Sequence, residues 1–211
     1  YKVASITPVV VDPETTYLIL NITFNYDSSA TTKTATDLGS LIAITLQNYN
    51  TTNLNTFNAP FRHSQLTGLV DDTDTSILMN TTTVTMGKLF TPTTTGSTSY
   101  TINFNNEFYH PVDGYQNTII ASTGFYIEGG TTEYFFDDDG SGNLRIYSIA
   151  VGVRTYYSVT AGTVDYTNGL IIINGVLISS TSNIDGSAST QIRITALSDS
   201  NDVIPVRNQL L

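Results

Sequence analysis

Hydrophobic and polar side chains alternate along the first well-patterned stretch of the chain. Over residues 16–26 every second residue is apolar, and the apolar positions are Leu18, Leu20, Ile22, Phe24 and Tyr26. Successive side chains of a strand point to opposite faces of a sheet, so this period of two predicts a strand with one buried face.

A helical period replaces the alternation over residues 36–49. The apolar positions there recur at the spacing of one helix face, at Leu38, Leu41, Ile42, Leu46 and Tyr49. This spacing predicts a helix that begins near Thr36 and ends at Tyr49.

A second helix is predicted within residues 57–71. Asn58 is a suitable N-cap residue, and Pro60 is tolerated in a first turn because its missing N–H group is not needed there. The apolar stripe of this helix is Phe61, Leu66, Leu69 and Val70. The helix macrodipole disfavours anions at the C-terminal end, so we interpret three aspartates as the helix stop: Asp71, Asp72 and Asp74.

Apolar residues resume at Ile77, and the segment up to Phe90 predicts a strand, or a bent pair of strands, with Gly87 as a possible bulge. The first ninety residues therefore predict a small α+β unit in the order strand, helix, helix, strand. The next segment, residues 91–99 (TPTTTGSTS), has no apolar residue and is the best candidate linker.

Short apolar segments separated by turn residues fill the rest of the chain. The predicted strands are Tyr100–Phe104, Thr118–Ile127, Glu133–Phe136, Leu144–Ala150, Val153–Val159, Thr163–Asp165, Leu170–Ile173, Val176–Ile178 and Gln191–Ala196. The predicted turns include Asn168–Gly169, Asn174–Gly175 and Asp185–Gly186, which tolerate positive φ. The expected fold class is α+β: an α+β domain at residues 1–92, then a mainly antiparallel β-rich domain at residues 99–211, built as a sandwich or a barrel-like sheet.

Composition narrows the possible partners. Charged residues make up only 12% of the chain, and the net charge is −10. Such an acidic surface repels phosphate groups, so we expect no nucleic acid and no membrane as a partner. The chain has no cysteine, and its most apolar stretch is too short for a membrane-spanning helix. Because the sequence begins at Tyr1, we expect a fragment or a processed product.

The acidic segment Asp137–Gly142 (DDDGSG) is the strongest candidate for chemistry. Asp137, Asp139 and Ser141 place oxygen atoms at alternate positions, as the first half of a calcium loop does. The twelfth position is Ser148, however, where the full motif needs a bidentate Glu. The favoured interpretation is a turn between two strands, with weak calcium binding left open.

Other candidate groups also have plain structural explanations. Asp71, Asp72 and Asp74 could hold a metal or act as acid and base, although the helix stop is favoured. The two histidines, His63 and His110, form no Ser-His-Asp arrangement that the sequence can support. Six aromatic residues could form a sugar-binding face, but such residues more often pack in a sheet: Tyr134, Phe135, Phe136, Tyr147, Tyr156 and Tyr157. No catalytic, cofactor-binding or metal-ligating residue is predicted, and we expect no cofactor and no small-molecule substrate.

The pattern from Phe57 to Ile77, F-N-x-x-F-x-x-S-x-L-x-x-x-V-D-D-x-D-x-S-I, resembles the baseplate wedge protein of T-even-type contractile-tailed bacteriophages. The resemblance extends over about Tyr1–Phe90 and includes ITP at Ile6–Pro8 and the strand TYLILNITFNY. Weaker similarity to phage baseplate proteins continues in three segments: YTINFNN, FDDDGSGNL and GTVDYTNGLI.

The resemblance implies a structural protein of the virion rather than an enzyme. Wedge proteins of this kind pair with copies of themselves, close into the inner ring around the tail hub, and contact neighbouring wedge proteins. This chain is similar to the C-terminal portion of such a protein. The expected location is the tail baseplate of the virion, after synthesis in the cytoplasm of the bacterial host.

Two other classes of function remain as alternatives. One is a β-rich adhesin, a module that binds carbohydrate or another receptor. The other is a glycosidase, which requires two facing carboxylates. The glutamates of the chain fall in predicted turns and at strand edges, which makes them weak candidates for such a pair: Glu14, Glu107, Glu128 and Glu133.

Overall fold

The computed structural model describes residues 14–56, 59–112, 114–205 and 208–210. The first part of the chain forms two strands and two α-helices in the predicted order. These are β1 (Glu14–Tyr26), α1 (Ala35–Tyr49), a π-helical turn (Asn50–Leu54), α2 (His63–Asp71) and β2 (Ile77–Phe90). The N-terminal residues 1–13, which include Ile6–Pro8 of the resemblance, and the proposed N-cap Asn58 lie outside the described residues.

The rest of the described chain is built from strands and their connections. They are β3 (Thr98–Asn103), β4 (Ile120–Ser122), β5 (Phe125–Ile127), β6 (Glu133–Asp138), β7 (Asn143–Ala150), β8 (Val153–Asp165), β9 (Leu170–Val176), β10 (Ile178–Thr181), β11 (Ile192–Leu197) and β12 (Asn208–Leu210). The prediction of a mainly antiparallel β-rich fold with two helices is confirmed.

Helix α1 is stabilised by a local N-terminal cap and by an amphipathic face that packs against the core. Thr34 Oγ1 accepts a hydrogen bond from the Asp37 N–H, and the Asp37 carboxylate accepts one from the Thr34 N–H, which is a capping box. Three residues of the predicted stripe are buried: Leu38, Ile42 and Tyr49. The predicted helix is therefore confirmed, and its cap begins two residues earlier than the predicted start.

The predicted start of α2 is wrong. Pro60 and Phe61 precede the helix, because the Phe61 backbone forms a β-bridge with Val203, with N–O distances of 2.9 and 3.2 Å. The helix begins at His63, whose N–H group donates to the Asp202 carboxylate at 2.8 Å. The negative charge at this helix N-terminus thus comes from a residue far away in the sequence.

The aspartates do end α2, as predicted. The helix runs to Asp71, and Asp72 is its C-cap residue. Asp74 follows in a turn, where its Oδ1 accepts hydrogen bonds from the N–H and hydroxyl groups of Ser76. Its Oδ2 pairs with Lys33.

One sheet contains β1, β2 and most of the second-half strands. Its order is β12-β1-β2-β11-β4-β6-β7-β8-β9-β3, with β5 and β10 paired beside β6, and it curls into a half-barrel. Strand β2 is hydrogen-bonded to β1 on one side and to β11 on the other. Strand β12 pairs with the start of β1 in a parallel ladder. The sheet therefore continues across the predicted linker, while the division into two domains stays a prediction.

Several strand boundaries differ from the predictions. Strand β2 is continuous, and Gly87 pairs regularly with Tyr17 and Thr195, so no bulge occurs there. The predicted turn at Asn174–Gly175 is wrong, because both residues lie inside β9. The two strands predicted between residues 153 and 165 are the single strand β8, and the one predicted over Thr118–Ile127 is divided into β4 and β5.

The described residues form a main hydrophobic core, and a smaller one that involves both helices. Large buried residues of the main core include Phe104, Phe108, Phe125, Phe136 and Ile194. The smaller cluster consists of Ile42, Val70 and Ile77, with Ile22 and Phe24 packed against it. Among the described residues, no helix combines the length and the hydropathy that crossing a membrane requires.

Candidate functional site

The acidic turn singled out in the sequence joins β6 to β7, and its first aspartate contacts two arginines. The Asp137 side chain is 2% exposed. Its Oδ1 accepts a hydrogen bond from Arg145 Nε at 2.9 Å, and its Oδ2 accepts bonds from Arg145 Nη2 at 3.1 Å and Arg154 Nη1 at 2.6 Å. Both carboxylate oxygens are therefore engaged by guanidinium groups, which leaves the calcium loop without its first predicted ligand.

The register of three strands brings these charges together. Asp137 on β6 lies opposite Arg145 on β7, and Arg154 comes from the adjoining strand β8. Burial raises the pKa of Asp137, while the hydrogen bond and charge of Arg145 oppose that effect. Burial lowers the pKa of Arg145, but its hydrogen bond and ion pair with Asp137 outweigh burial and leave the pKa raised. Two cations thus face one anion in this cluster.

Aromatic rings cover the two guanidinium groups. Arg145 Cζ lies 4.5 Å from the Tyr156 ring centroid, and Arg154 Cζ lies 4.1 Å from that of Tyr147. Such cation–π contacts are worth about 0.5–2 kcal/mol each. The Tyr147 ring in turn packs 5.6 Å from Phe135.

The predicted aromatic residues divide between core and surface. Phe136 is fully buried and stacks on Phe125 at 4.5 Å, while Tyr156 and Tyr157 on β8 remain 38% and 52% exposed. Most of the six residues therefore pack within the sheet, and only these two tyrosines present large ring surfaces to solvent.

The second aspartate of the turn is a buried structural group. Asp138 Oδ1 accepts hydrogen bonds from the N–H groups of Ile119 and Ile120, and its Oδ2 accepts one from the Tyr166 hydroxyl at 2.9 Å. Burial and the neighbouring Asp138 charge raise the pKa of Tyr166. His110 stacks on the Tyr166 ring at 4.3 Å, and its Nε2 lies 2.9 Å from the Gly140 carbonyl oxygen.

The third aspartate shapes the turn itself. Asp139 Oδ1 accepts hydrogen bonds from the N–H groups of Ser141 and Asn143, and Oδ2 accepts one from Asn143 Nδ2. Gly140 has φ of +73°, and a Cβ atom there would lie 1.8 Å from the Tyr115 carbonyl oxygen. These contacts support the interpretation of Asp137–Gly142 as a structural turn.

The remaining sequence candidates that can be placed also make structural hydrogen bonds. His63 Nε2 lies 2.9 Å from the Thr82 carbonyl oxygen, so this ring holds α2 against β2. Asp71 Oδ1 accepts a hydrogen bond from Asn80 Nδ2 at 2.7 Å. Among the described residues, no group of three or more His, Cys, Asp or Glu side chains could hold a metal ion.

The glutamates do not form an evident pair. Glu133 is half-buried and accepts a hydrogen bond from the Ser182 hydroxyl, while Glu107 and Glu128 are exposed. Nothing is described for the Glu14 side chain.

An exposed apolar surface and an apolar groove were missed by the sequence analysis. The first is the tip of the β7–β8 hairpin, which we call the apolar tip: Ile149, Val151 and Val153, exposed by 53%, 103% and 64%. Alternation along both strands concealed it, because strand periodicity alone does not distinguish a buried apolar residue from an exposed one.

The second surface is a concave one, which we call the helix groove, with a volume of about 320 Å³. It lies between β1 and α1, close to the π-helical turn. Its apolar lining comes from Leu18, Leu20, Leu46, Leu54, Phe61 and Leu66. The sequence analysis placed Leu18, Leu20 and Leu46 on the buried faces of β1 and α1. In the structure these residues are only half-buried, because α1 covers β1 incompletely and leaves the groove between them.

Part of the chain is similar to a known family of proteins. Residues 14–89 match the family model described as baseplate structural protein gp6, C-terminal domain III. The matched part is a little over a third of the chain and spans β1, both helices and nearly all of β2. No curated protein matches the chain. The family match supports a structural protein of the phage tail baseplate, as expected from the resemblance of the same segment.

Proposed function

We propose that this chain is part of a baseplate wedge protein that self-associates into the ring around the tail hub. In this role it contacts neighbouring wedge proteins and takes part in tail assembly and contraction. The family match over residues 14–89 carries the proposal. The residue pattern from the end of the first helix to the start of β2 agrees with it.

The side-chain contacts support a structural role rather than a catalytic one. Each aspartate of the acidic turn, Asp137, Asp138 and Asp139, has both carboxylate oxygens bonded to protein donors. Catalysis by paired carboxylates needs groups that can exchange protons with a substrate. These three side chains instead fix the geometry of β6, β7 and the connection before β4.

Self-association is tested by sedimentation velocity on the purified chain, from micromolar to millimolar concentration. The proposal predicts a weight-average sedimentation coefficient that rises with concentration, because ring closure requires repeated contacts between copies. A single monomeric species over the whole range would contradict the ring-forming role. Immunogold labelling of phage particles tests the location separately, with label expected at the baseplate end of the tail.

The division into domains 1–92 and 99–211 is part of the same proposal. Limited proteolysis within residues 91–97 tests it. Independent domains would separate after cleavage, whereas the ladder between β2 and β11 would hold the two fragments together.

The alternative of a carbohydrate- or receptor-binding module draws on one observation. Tyr156 and Tyr157 on β8 are partly exposed, and sugars stack on such rings. The Tyr156 ring packs against Tyr147 and the Tyr157 ring against Tyr134. Reproducible signals on a glycan array that disappear in Tyr157→Ala would favour this second function.

A further inference from the structure

The turn at the end of the β7–β8 hairpin has an unusual residue in a demanding conformation. Val151 and Gly152 connect the paired residues Ala150 and Val153, with φ of +52° and +76°. A two-residue turn with both φ values positive strongly prefers Asn, Asp or Gly at its first position. Val is β-branched and rarely adopts positive φ, because its Cβ approaches the following carbonyl group. The Val151 side chain therefore costs stability in the isolated fold.

No packing within the described fold offsets this cost. The Val151 side chain is fully exposed, and the flanking Ile149 and Val153 are more than half exposed. Together the three form a convex aliphatic surface at the end of a hairpin. Strained backbone with no local compensation is a recognised mark of a functional position.

The hairpin that carries the apolar tip also keeps some positive charge. Residues 143–160 contain Arg145 and Arg154 but no Asp or Glu, and both arginines pair with Asp137 on β6, so this cluster retains one net positive charge in a chain whose net charge is −10. Arg154 is 42% exposed and lies opposite Ile149 at the base of the tip. Charge complementarity therefore favours an acidic partner, and another copy of this chain is strongly acidic.

The helix groove has complementary features. Its lining is apolar, and residues 38–61, which form most of its helical wall, include no charged side chain. Neither α1 nor the π-helical turn has a basic residue in its last turn, so neither element supplies a cation to the partial negative charge at its own end. Asn50 in the groove wall has a buried Oδ1 atom without a hydrogen-bond partner in the described structure.

The tip does not occupy the groove of its own chain. Strands β1 and β8 are separated by β2, β11, β4, β6 and β7 in the sheet, and the Val151 side chain at the tip is fully exposed. A contact between the two surfaces therefore joins different molecules.

We propose that the apolar tip of one copy inserts into the helix groove of a second copy, with Arg154 directed towards the C-terminal end of α1. This inference rests on the proposed self-association and names the surfaces that carry it. Because the tip and the groove are different surfaces, the contact is heterologous. A heterologous contact generates a ring when the rotation closes and a filament when it does not.

Two substitutions test the contact without weakening the fold. Val151→Asn creates an Asn-Gly sequence that suits this turn, so the melting temperature should stay the same or rise while association weakens. Gln47→Lys places a cation on the exposed rim of the groove, where it favours the helix end and repels the arriving Arg154. Each variant is expected to weaken association by about tenfold or more. Ile204→Asn, at another exposed aliphatic residue, is the matched control.

Mixing the two variants gives a sharper result. The Val151→Asn chain keeps an intact groove, and the Gln47→Lys chain keeps an intact tip, so an equimolar mixture should form a dimer that cannot grow further. Unchanged association of both variants beside an associating wild type would overturn the inference and leave the proposed self-association standing. A wild-type chain that stays monomeric at every concentration would overturn both.

Disulfide trapping provides an independent measurement, because the chain has no cysteine of its own. Under mild oxidation, Val151→Cys mixed with Gln47→Cys should form a cross-linked heterodimer faster than Val151→Cys mixed with Ile204→Cys. Equal rates in the two mixtures would overturn the proposed contact. A second result would also overturn the proposed contact. If the wild type sediments with phosphatidylglycerol vesicles and Val151→Asn does not, while the two chains associate equally with themselves, the tip binds a membrane instead.

Discussion

At the scale of single residues, the Asp137 cluster shows how an acidic chain uses its few arginines. Burying a carboxylate is costly unless hydrogen bonds and opposite charges replace its water shell. Asp137 receives three charge-assisted hydrogen bonds from Arg145 and Arg154, and aromatic rings cover both guanidinium groups. The two arginines are not equivalent, however, because Arg145 also donates to the Asp138 carbonyl oxygen at 2.6 Å.

Replacing each arginine separately should reveal this difference. Arg145→Met removes a bidentate partner of a buried carboxylate, and the expected loss in the free energy of unfolding is about 2–4 kcal/mol. Arg154→Met removes one bond from a side chain that is 42% exposed, and the expected loss is about 1 kcal/mol. Urea unfolding followed by tyrosine fluorescence measures both. Equal losses would contradict the central role of Arg145.

The acidic turn could be predicted at this scale, but its partners could not. The Asp-Gly pattern of Asp137–Gly142 is sufficient to indicate a turn. Which side chains reach Asp137 depends on the register of β7 and β8, and that register is fixed by the turn at Val151. The sequence predicted the two strands of this hairpin, Leu144–Ala150 and Val153–Val159, but valine does not indicate a turn type, so the pairing of their residues could not be predicted. The apolar tip was missed because strand periodicity alone does not distinguish a buried apolar residue from an exposed one.

At the scale of elements, the two helices begin in different ways. Helix α1 has a local capping box, and the Thr-x-x-Asp spacing from Thr34 to Asp37 could have been recognised in the sequence. Helix α2 has no side-chain cap of its own, and the Asp202 carboxylate binds its first N–H group instead. A cap supplied across the fold cannot be predicted from the sequence around the helix, which explains why its start was placed too early.

The capping box gives a prediction for α1. Thr34→Ala leaves the Asp37 N–H without its acceptor, and the expected loss in the free energy of unfolding is about 1 kcal/mol. Thr36→Ala is the matched control, because it changes an exposed threonine inside the first turn and alanine favours the helix. Thermal unfolding followed by circular dichroism compares them. A greater loss in the control would contradict the assigned cap.

At the scale of the whole molecule, long-range strand pairs complete the sheet. Alternating residues and turn signals predicted most of the strands, because both are local properties of the sequence. The pairing of β11 with β2, and the parallel pairing of β12 with β1, join residues more than a hundred positions apart. Such pairings depend on the completed core and not on any local pattern, so the continuity of the sheet could not be predicted.

Acidification should destabilise the whole molecule, because hydrogen bonds hold the pKa of several carboxyl groups below their usual range. The donors include Lys33, Arg193 and backbone N–H groups, and the aspartates are Asp27, Asp37, Asp74, Asp165, Asp185 and Asp202. A group with a lowered pKa in the folded state contributes stability that is complete above its unfolded pKa, about 3.9, and is lost as the pH falls below it.

The melting temperature is therefore expected to change little between neutral pH and about pH 5, and to fall below about pH 4. Burial raises the pKa of Asp137, so protonation of this carboxyl group favours the folded state. Asp137 therefore reduces the fall in melting temperature at low pH without reversing it. Asp202→Asn is the informative variant, because asparagine has no carboxyl group that titrates. Its melting temperature at neutral pH should be lower than that of the wild type, and it should depend less on pH. Calorimetry at constant ionic strength measures both curves. A wild-type melting temperature that rises from pH 5 to pH 3 would mean that relief of repulsion within this acidic chain outweighs the lost hydrogen bonds.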